Sequence, residues 1–338
     1  MYTEEFNYYL PNEYIAQYPE KERSSSRLLV FDRRKGTIED RLFKDIHEYL
    51  KKGDVLVLNK SKVFPARLEA QKETGGIVHI LLVEEIGANQ WRCLVRGVKR
   101  GMSELKVSIG NRMAELLCKD GSWVIHFLSD GNFYDVINTY GKVPLPPYIK
   151  RKGSNGDMDI ERYQTVYAED VGSIAAPTAG FHFTDDLLEL IEGMGVHIVK
   201  IVLHIGIGTF LLVKRKKIED HEMAYEYYSM TPEVKDMIDR AKKEERRVIA
   251  CGTSVVRTLE TVFSGNDVPL QGRTGLFIYP DYQFKVVDAL ITNFHLPKST
   301  PLLLTAAFAG KNELFKCYRE AQEKGYRFYS YGDGMFIL

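Results

Sequence analysis

Between residues 66 and 150 the chain changes texture, and that change limits its fold more than any other feature. Short runs rich in β-branched and aromatic residues follow one another: "IVHILLVEEI", "QWRCLVRGV", "ELKVSI", "MAELLCK" and "SWVIHFL". Turn signals separate them at Gly75-Gly76, Gly87, Gly110-Asn111, Asp120-Gly121 and Asp130-Gly131. Strands this short, with turns this frequent, predict a small antiparallel β-barrel, and Asp120-Gly121 is the clearest hairpin among them. The segment runs out at "VPLPPYIKRKGSNGD", a proline-rich stretch and polar loop that reads as a linker.

Both flanks read as α/β. The N-terminal flank predicts strands at Arg27–Asp32 and near Thr37–Arg41, then a helix over about Phe43–Lys51. The unbroken apolar run "VLVLN" (Val55–Asn59) predicts a strand buried on both faces. After the linker, "VHIVKIVLH" predicts a strand over Val196–His204. Thr231 and Pro232 open a helix as N-cap and first helical residue. "VIACGTSVVRTLETVF" reads as strand, tight turn and helix, "FKVVDALITNF" as a strand region, and "YRFYSYGDGMFIL" as strand-like. "LLLTAAFAGKNELFKCYREAQEKG" reads as helix closing on Gly325. The expected architecture is an α/β (mixed α+β) main domain, residues 1–65 and 151–338, with an inserted small antiparallel β-barrel domain, residues 66–150.

Composition removes several functions. Lys+Arg and Asp+Glu balance at 46 each, so no global field draws the chain to a polyanion. Only local runs could do so: Lys150-Arg151-Lys152, Lys214-Arg215-Lys216-Lys217 and Arg246-Arg247, each also readable as a solvated face. The 4 cysteines are scattered, with no C-x-x-C pair, which fits a reducing cytosol and no zinc knuckle. The start lacks the pattern of a signal peptide, and "PLLLTAAFAG" is too short to span a bilayer. The expectation is a cytoplasmic monomer away from membranes. No P-loop or H-E-x-x-H occurs, and "GIGTFL" lacks the third glycine of a dinucleotide fingerprint.

The histidines number only 8, yet His182, His204 and His295 fall in small-residue loops at strand ends, where α/β sheets bind ligands. His221 lies in "EDHEMAYEYY" with Glu226. Each of these histidines is also readable as a hydrogen-bonded core residue, and no metal is expected. Gly252, Thr253 and Ser254 precede a helix with Arg257 in its first turn, a set suited to a carboxylate, although simple capping also explains it. In "SIAAPTAGFHFTDD", Thr184 caps a helix whose first turn carries Asp185 and Asp186. Those acids already answer the helix dipole, so a neutral or cationic part of a ligand is favoured there.

Six blocks line up, in order, with a known family. They are "YYLPNEYIAQYPEKERSSSRLLVFD", "LVLNKSKVFPARL", "RYQTVYAEDVGSIAAPTAGFHFT", "LHIGIGTF", "CGTSVVRTLE" and "LITNFHLPKST" (Leu290–Thr300). From end to end the chain resembles the S-adenosylmethionine:tRNA ribosyltransferase-isomerase family of queuosine biosynthesis. The resemblance implies transfer of the ribosyl part of S-adenosylmethionine to a 7-aminomethyl-7-deazaguanine at the tRNA wobble position. It also implies rearrangement to epoxyqueuosine, loss of adenine and methionine, and an α/β core plus β-barrel. Such chemistry needs a base near the carbon beside the sulfonium, aromatic faces for the sulfonium, and a donor for leaving adenine. His182, His204, His295, Glu226 and His221 are the acid–base candidates, His182 foremost. Arg257 with Thr253 would hold the methionine carboxylate, and Tyr163, Phe181 and Phe183 would face the sulfonium or a base. Gln164, Thr178, Gly180, Gly206, Gly208, Thr209, Asn293 and Lys298 complete the expected ligand pocket.

The chain also departs from the family's pattern. Ala224 stands where "H-x-M-H-x-E" has its second histidine, Leu211 and Leu212 replace an Arg-Pro pair, and "LVRGVK" replaces "LVRPGK". Two other functions therefore stand beside the first: a diverged paralogue that passes ribosyl to a different or non-tRNA amine, and a non-catalytic RNA-binding relative.

Overall fold

A computed structural model describes residues 1–128, 132–151, 156–265 and 267–338. The expected turn at Asp130-Gly131 and positions 152–155 of the expected linker, with Lys152 of the basic run, lie outside the described residues. The chain divides into two compact units. One comprises Met1–Lys62, Pro146–Lys152 and Glu161–Leu338; the other comprises Val63–Leu145 and Gly153–Ile160.

The larger unit is built on a mixed sheet of nine strands. Their order is Gln271–Thr274, Glu226–Ser229, His197–Leu203, Val55–Asn59, Val248–Cys251, Ala289–Asn293, Gly334–Ile337, Arg27–Asp32 and Thr37–Leu42. The four from His197–Leu203 to Ala289–Asn293 are parallel neighbours, so their carboxyl ends share one edge. "VLVLN" behaves as its pattern predicts. Val55 and Val57 join one apolar cluster, Leu56 and Leu58 join the cluster on the opposite face, and all four are fully buried. The first cluster is covered by helices Pro232–Lys243, Thr253–Val262, Thr300–Ala309 and Lys311–Glu323, the second by helix Asp185–Gly193 and the turn Phe43–Tyr49.

Two local expectations are corrected. Phe43–Lys51 does not form an α-helix but a 3₁₀ segment, Phe43–Tyr49. Only Phe43 and Ile46 point into the core, and that three-residue spacing suits a 3₁₀ turn. The long helix of the C-terminal third breaks at Gly310, giving Thr300–Ala309 and Lys311–Glu323. Other signals act as read: the Thr231 and Thr184 hydroxyls accept the N–H groups of Val234 and Leu187.

The smaller unit contains a closed barrel of six antiparallel strands, ordered Ser122–Phe127, Gln90–Arg96, Ile77–Gly87, Arg67–Lys72, Glu104–Ile109 and Arg112–Lys119. Asp120 and Gly121 both have positive φ, 50° and 77°, as a two-residue type I′ hairpin requires. A helix at Phe133–Tyr140, capped by the Asn132 side chain, was not expected from the sequence. No helix among the described residues is long and apolar enough to cross a membrane.

Candidate active site

At the carboxyl ends of the parallel strands the larger unit opens into a cleft of about 960 Å³, counting its solvent-continuous space. A cleft in this position is where open α/β sheets bind ligands, and its size suits a small organic molecule. Strand His197–Leu203 feeds Leu203 and Ile205 into its wall, strand Val248–Cys251 feeds Gly252, Thr253 and Ser254, and strand Ala289–Asn293 feeds Thr292 to Leu296. The segment "AAPTA" lines it with small side chains.

Of the expected site residues, Thr178, Thr209, Glu226, Thr253, Arg257, Asn293 and His295 line this cleft. Thr178 Oγ1 donates to Asn293 Oδ1 at 2.7 Å, which fixes the amide at the mouth of the strand. Behind Asn293 sits His182. Its Nδ1 meets Ser26 Oγ at 2.7 Å, its Nε2 lies 3.4 Å from Asn293 Nδ2, and its ring packs on Phe43 at 4.7 Å. His182 is 4% exposed and lies outside the cleft lining. Burial, with Arg327 and Arg23 adding repulsion, pushes its pKa down to about 3. His295 does face the cleft, with Nε2 at 2.7 Å from Thr292 Oγ1. Burial pushes its pKa down to about 3 as well, so the ring is neutral at pH 7.

Arg257 is more committed than the sequence suggested. Its Nη1 donates to Glu226 Oε2, its Nη2 to the Thr274 carbonyl at 3.1 Å, and its Nε to the Leu276 carbonyl at 3.0 Å. Both partners of the Glu226–Arg257 pair are buried, and Glu226 Oε1 also accepts the Gly206 N–H at 2.7 Å. The pair anchors the "GIGTF" loop against the cleft rather than offering an open guanidinium. The helix after it offers the better anion feature. Gly252, with φ of 97°, turns the chain into helix Thr253–Val262 without a side-chain cap, and Gly252, Thr253 and Ser254 line the cleft at this helix start.

The remaining candidates lie elsewhere. His204 bonds Ser61 Oγ through Nδ1 at 2.8 Å and stacks on Tyr227, and burial lowers its pKa although Asp170 opposes this. His221 sits edge-on to Phe277, its pKa lowered by burial and then by Arg215. Tyr163 is fully buried between Phe181 and Tyr331, and Phe183 is fully buried against Phe43. Phe181 lines a separate recess. Gln164 is half-buried and outside the cleft lining. Gly180 packs so closely that a Cβ would lie 1.9 Å from the Tyr167 hydroxyl. Gly208 faces Ala224, whose methyl would be 3.6 Å from a Cβ built there. Lys298 pairs with Glu4 at 2.6 Å. Of the basic runs, Arg246-Arg247 is structural: Arg247 pairs with buried Asp54, and Arg246 binds the Gly53 carbonyl at 2.7 Å. Cleft residues that sequence reasoning passed over include Phe210, Met223, Phe277, Tyr329 and Ser330. Phe210 and Met223 lie within "GIGTFL" and "EDHEMAYEYY"; Tyr329 and Ser330 lie in "YRFYSYGDGMFIL", which carried only a strand-like pattern, and Phe277 carried no signal. Among the described residues, no group of three metal-ligating side chains is placed to hold an ion.

The larger unit is thus an α/β fold with a cleft at the strand ends of its mixed sheet, and the smaller unit holds a closed barrel. The chain belongs to the queuosine biosynthesis protein family, whose model matches residues 3–337. It is similar to the S-adenosylmethionine:tRNA ribosyltransferase-isomerase of Caldanaerobacter subterraneus subsp. tengcongensis, 48% identical over 345 residues and the full length of both chains. The enzyme of that name from Thermotoga petrophila is 46% identical over the same coverage. Among solved structures, S-adenosylmethionine tRNA ribosyltransferase from Thermotoga maritima is 36% identical with a TM-score of 0.57, over 99% of this chain and 100% of that one.

Proposed function

We propose that this chain is an S-adenosylmethionine:tRNA ribosyltransferase-isomerase. It moves the ribosyl carbons of S-adenosylmethionine onto the 7-aminomethyl-7-deazaguanine of tRNA, giving epoxyqueuosine with adenine and methionine released. One observation carries the reading. Residues from four family blocks far apart in sequence (Thr178, Thr209, Thr253 with Arg257, and Asn293 with His295) line one cleft.

The chain's own groups suit the parts of S-adenosylmethionine. The open N–H groups at Thr253 and Ser254 receive the methionine carboxylate, while Arg257 positions Glu226 and the Gly206 loop. Phe210 and Phe277 supply aromatic faces for the sulfonium, a task the buried rings of Tyr163 and Phe183 are not placed to perform. His295 is the base. Its neutral ring shares one hydrogen bond between Nε2 and Thr292 Oγ1; in the tautomer whose Nε2–H donates there, Nδ1 keeps a lone pair for the proton beside the sulfonium. His182 acts through Asn293 as a positioning residue. The protein works as a monomer in the cytoplasm, without a metal.

The test is adenine release from S-adenosylmethionine by purified protein. Release that requires tRNA bearing the aminomethyl-deazaguanine supports the proposal. Release with other amines alone, or none with that tRNA, overturns it.

A further inference from the structure

Beside the cleft, and sharing Ser330 with it, the larger unit holds a second recess of about 270 Å³, open to solvent. Three arginines from distant parts of the chain, Arg23, Arg162 and Arg327, line it together with His182 and Glu20. Their hydrogen bonds leave the recess short of negative charge. Arg23 donates to the carbonyls of Phe181 and Glu161, and Arg162 to those of Lys21 and Glu20. Neither pairs with a carboxylate among the described residues. Arg327 alone has acidic partners, Glu20 at 3.0 Å and Asp333 at 3.6 Å. The Nε of Arg162 is buried without an acceptor. Burial and the nearby Arg162 lower the Arg23 pKa, and Arg23 and Arg327 help keep His182 neutral. Like charges crowded at a solvent-open recess, with a donor unanswered, form a cradle that an anion would complete.

We propose that this recess is a second binding site, for a tetrahedral oxyanion, with a phosphate held by Arg23, Arg162 and Arg327. Guanidinium groups match phosphate oxygens in pairs, and three of them around one recess favour that geometry over a flat carboxylate. The phosphate has two possible sources, a backbone diester of an RNA substrate or a free inorganic ion. The first rests on the function proposed above and the second does not. Through His182 and Asn293 an occupied recess would also hold the cleft wall at Thr178.

The experiment uses inorganic phosphate and tRNA as probes on the full chain, with the Arg162→Gln and Arg23→Gln variants. Circular dichroism confirms folding, and Arg162→Lys serves as a charge-keeping control. For the cradle, millimolar inorganic phosphate raises the wild-type melting temperature above an equal-ionic-strength chloride control, and either glutamine variant loses the rise. For an RNA diester, tRNA binding weakens about tenfold in each glutamine variant, the size of one charge-assisted contact. The slope of log affinity against log salt then becomes shallower by about 0.7–0.9, and Arg162→Lys restores most of both. Phosphate stabilisation with an unchanged tRNA slope assigns the site to the free ion. No phosphate effect together with an unchanged slope in folded variants overturns the proposal. Adenine release by the wild type is read separately: its absence removes the proposed function while the phosphate arm still decides this site.

Discussion

Acidification from pH 7 to pH 5 tests the histidine assignments directly. His182 and His295 are neutral in the fold, with pKa values pushed from 6.5 to about 3. In the unfolded chain both return to about 6.5. The unfolded state then binds more protons throughout the interval between those values, so stability falls as pH drops. That stability is fully present above about pH 6.5 and is lost progressively on the way down to about pH 3. At pH 5 the loss for deeply buried His182 is about 2 kcal/mol, from 1.5 pH units at about 1.36 kcal/mol each. His295, less fully enclosed, adds a smaller loss of the same sign. The carboxylates that ion pairs hold below their ordinary values contribute only at lower pH. Urea denaturation at the two pH values measures the sum, to which His204 and His221, also lowered by burial, add with the same sign, and His182→Asn removes its own share. The enzymatic corollary is sharper. Because neither ring titrates near neutrality in the fold, kcat/KM for adenine release has no limb near pH 6.5, and activity falls only as the protein unfolds. A limb near 6.5 in protein shown to be folded, absent from His295→Gln, refutes the reasoning. So does a stability change below about 1 kcal/mol between the two pH values.

Three further outcomes follow from named contacts. Glu226→Ala strands the buried Arg257 charge and should cost about 3–5 kcal/mol in denaturant unfolding, while Glu226→Ala with Arg257→Met costs less than the sum of the single changes. Gly180→Ala places a methyl 1.9 Å from the Tyr167 hydroxyl and 2.8 Å from Thr165 Cγ2. It should destabilise by about 1–3 kcal/mol and weaken S-adenosylmethionine binding, as calorimetry would show. Ala224→His restores the family's imidazole at an exposed position facing Gly208. It should change stability by no more than about 0.5 kcal/mol and raise tRNA-dependent adenine release, and an unchanged rate would mean that this position does not meet substrate.

The parts of the fold that local physics dictates were legible in sequence. Asp120-Gly121 needs two positive φ values and suits a type I′ turn, and the stretch 55–58 has no polar side chain to give one face to water. Thr231-Pro232 could hardly do other than start a helix. The site was only half legible. The sequence put His182 and His295 in equivalent small-residue loops, but which one faces the cleft depends on Asn293 standing in between. Arg257 looked like an open cation because Glu226, 31 residues earlier, gives no sign in sequence of lying opposite it. The cradle of Arg23, Arg162 and Arg327 was invisible for the same reason, since only tertiary packing unites it. Helix Phe133–Tyr140 was missed beside stronger strand signals, though Asn132 and the spacing of Phe133, Val136 and Ile137 carried its mark.

Strand Gly334–Ile337 lies inside the sheet, paired in parallel with Arg27–Asp32 on one side and antiparallel to Ala289–Asn293 on the other. Its position sets a timetable for biosynthesis. The barrel strands pair within residues 67–127 and can meet as soon as that stretch has left the ribosome. Strand Arg27–Asp32, made far earlier, must wait with one edge unpaired until residue 337 emerges, and the cleft waits with it for Tyr329 and Ser330. A ribosome stalled before residues 329–337 emerge would therefore hold a nascent chain with an open sheet and an unfinished cleft.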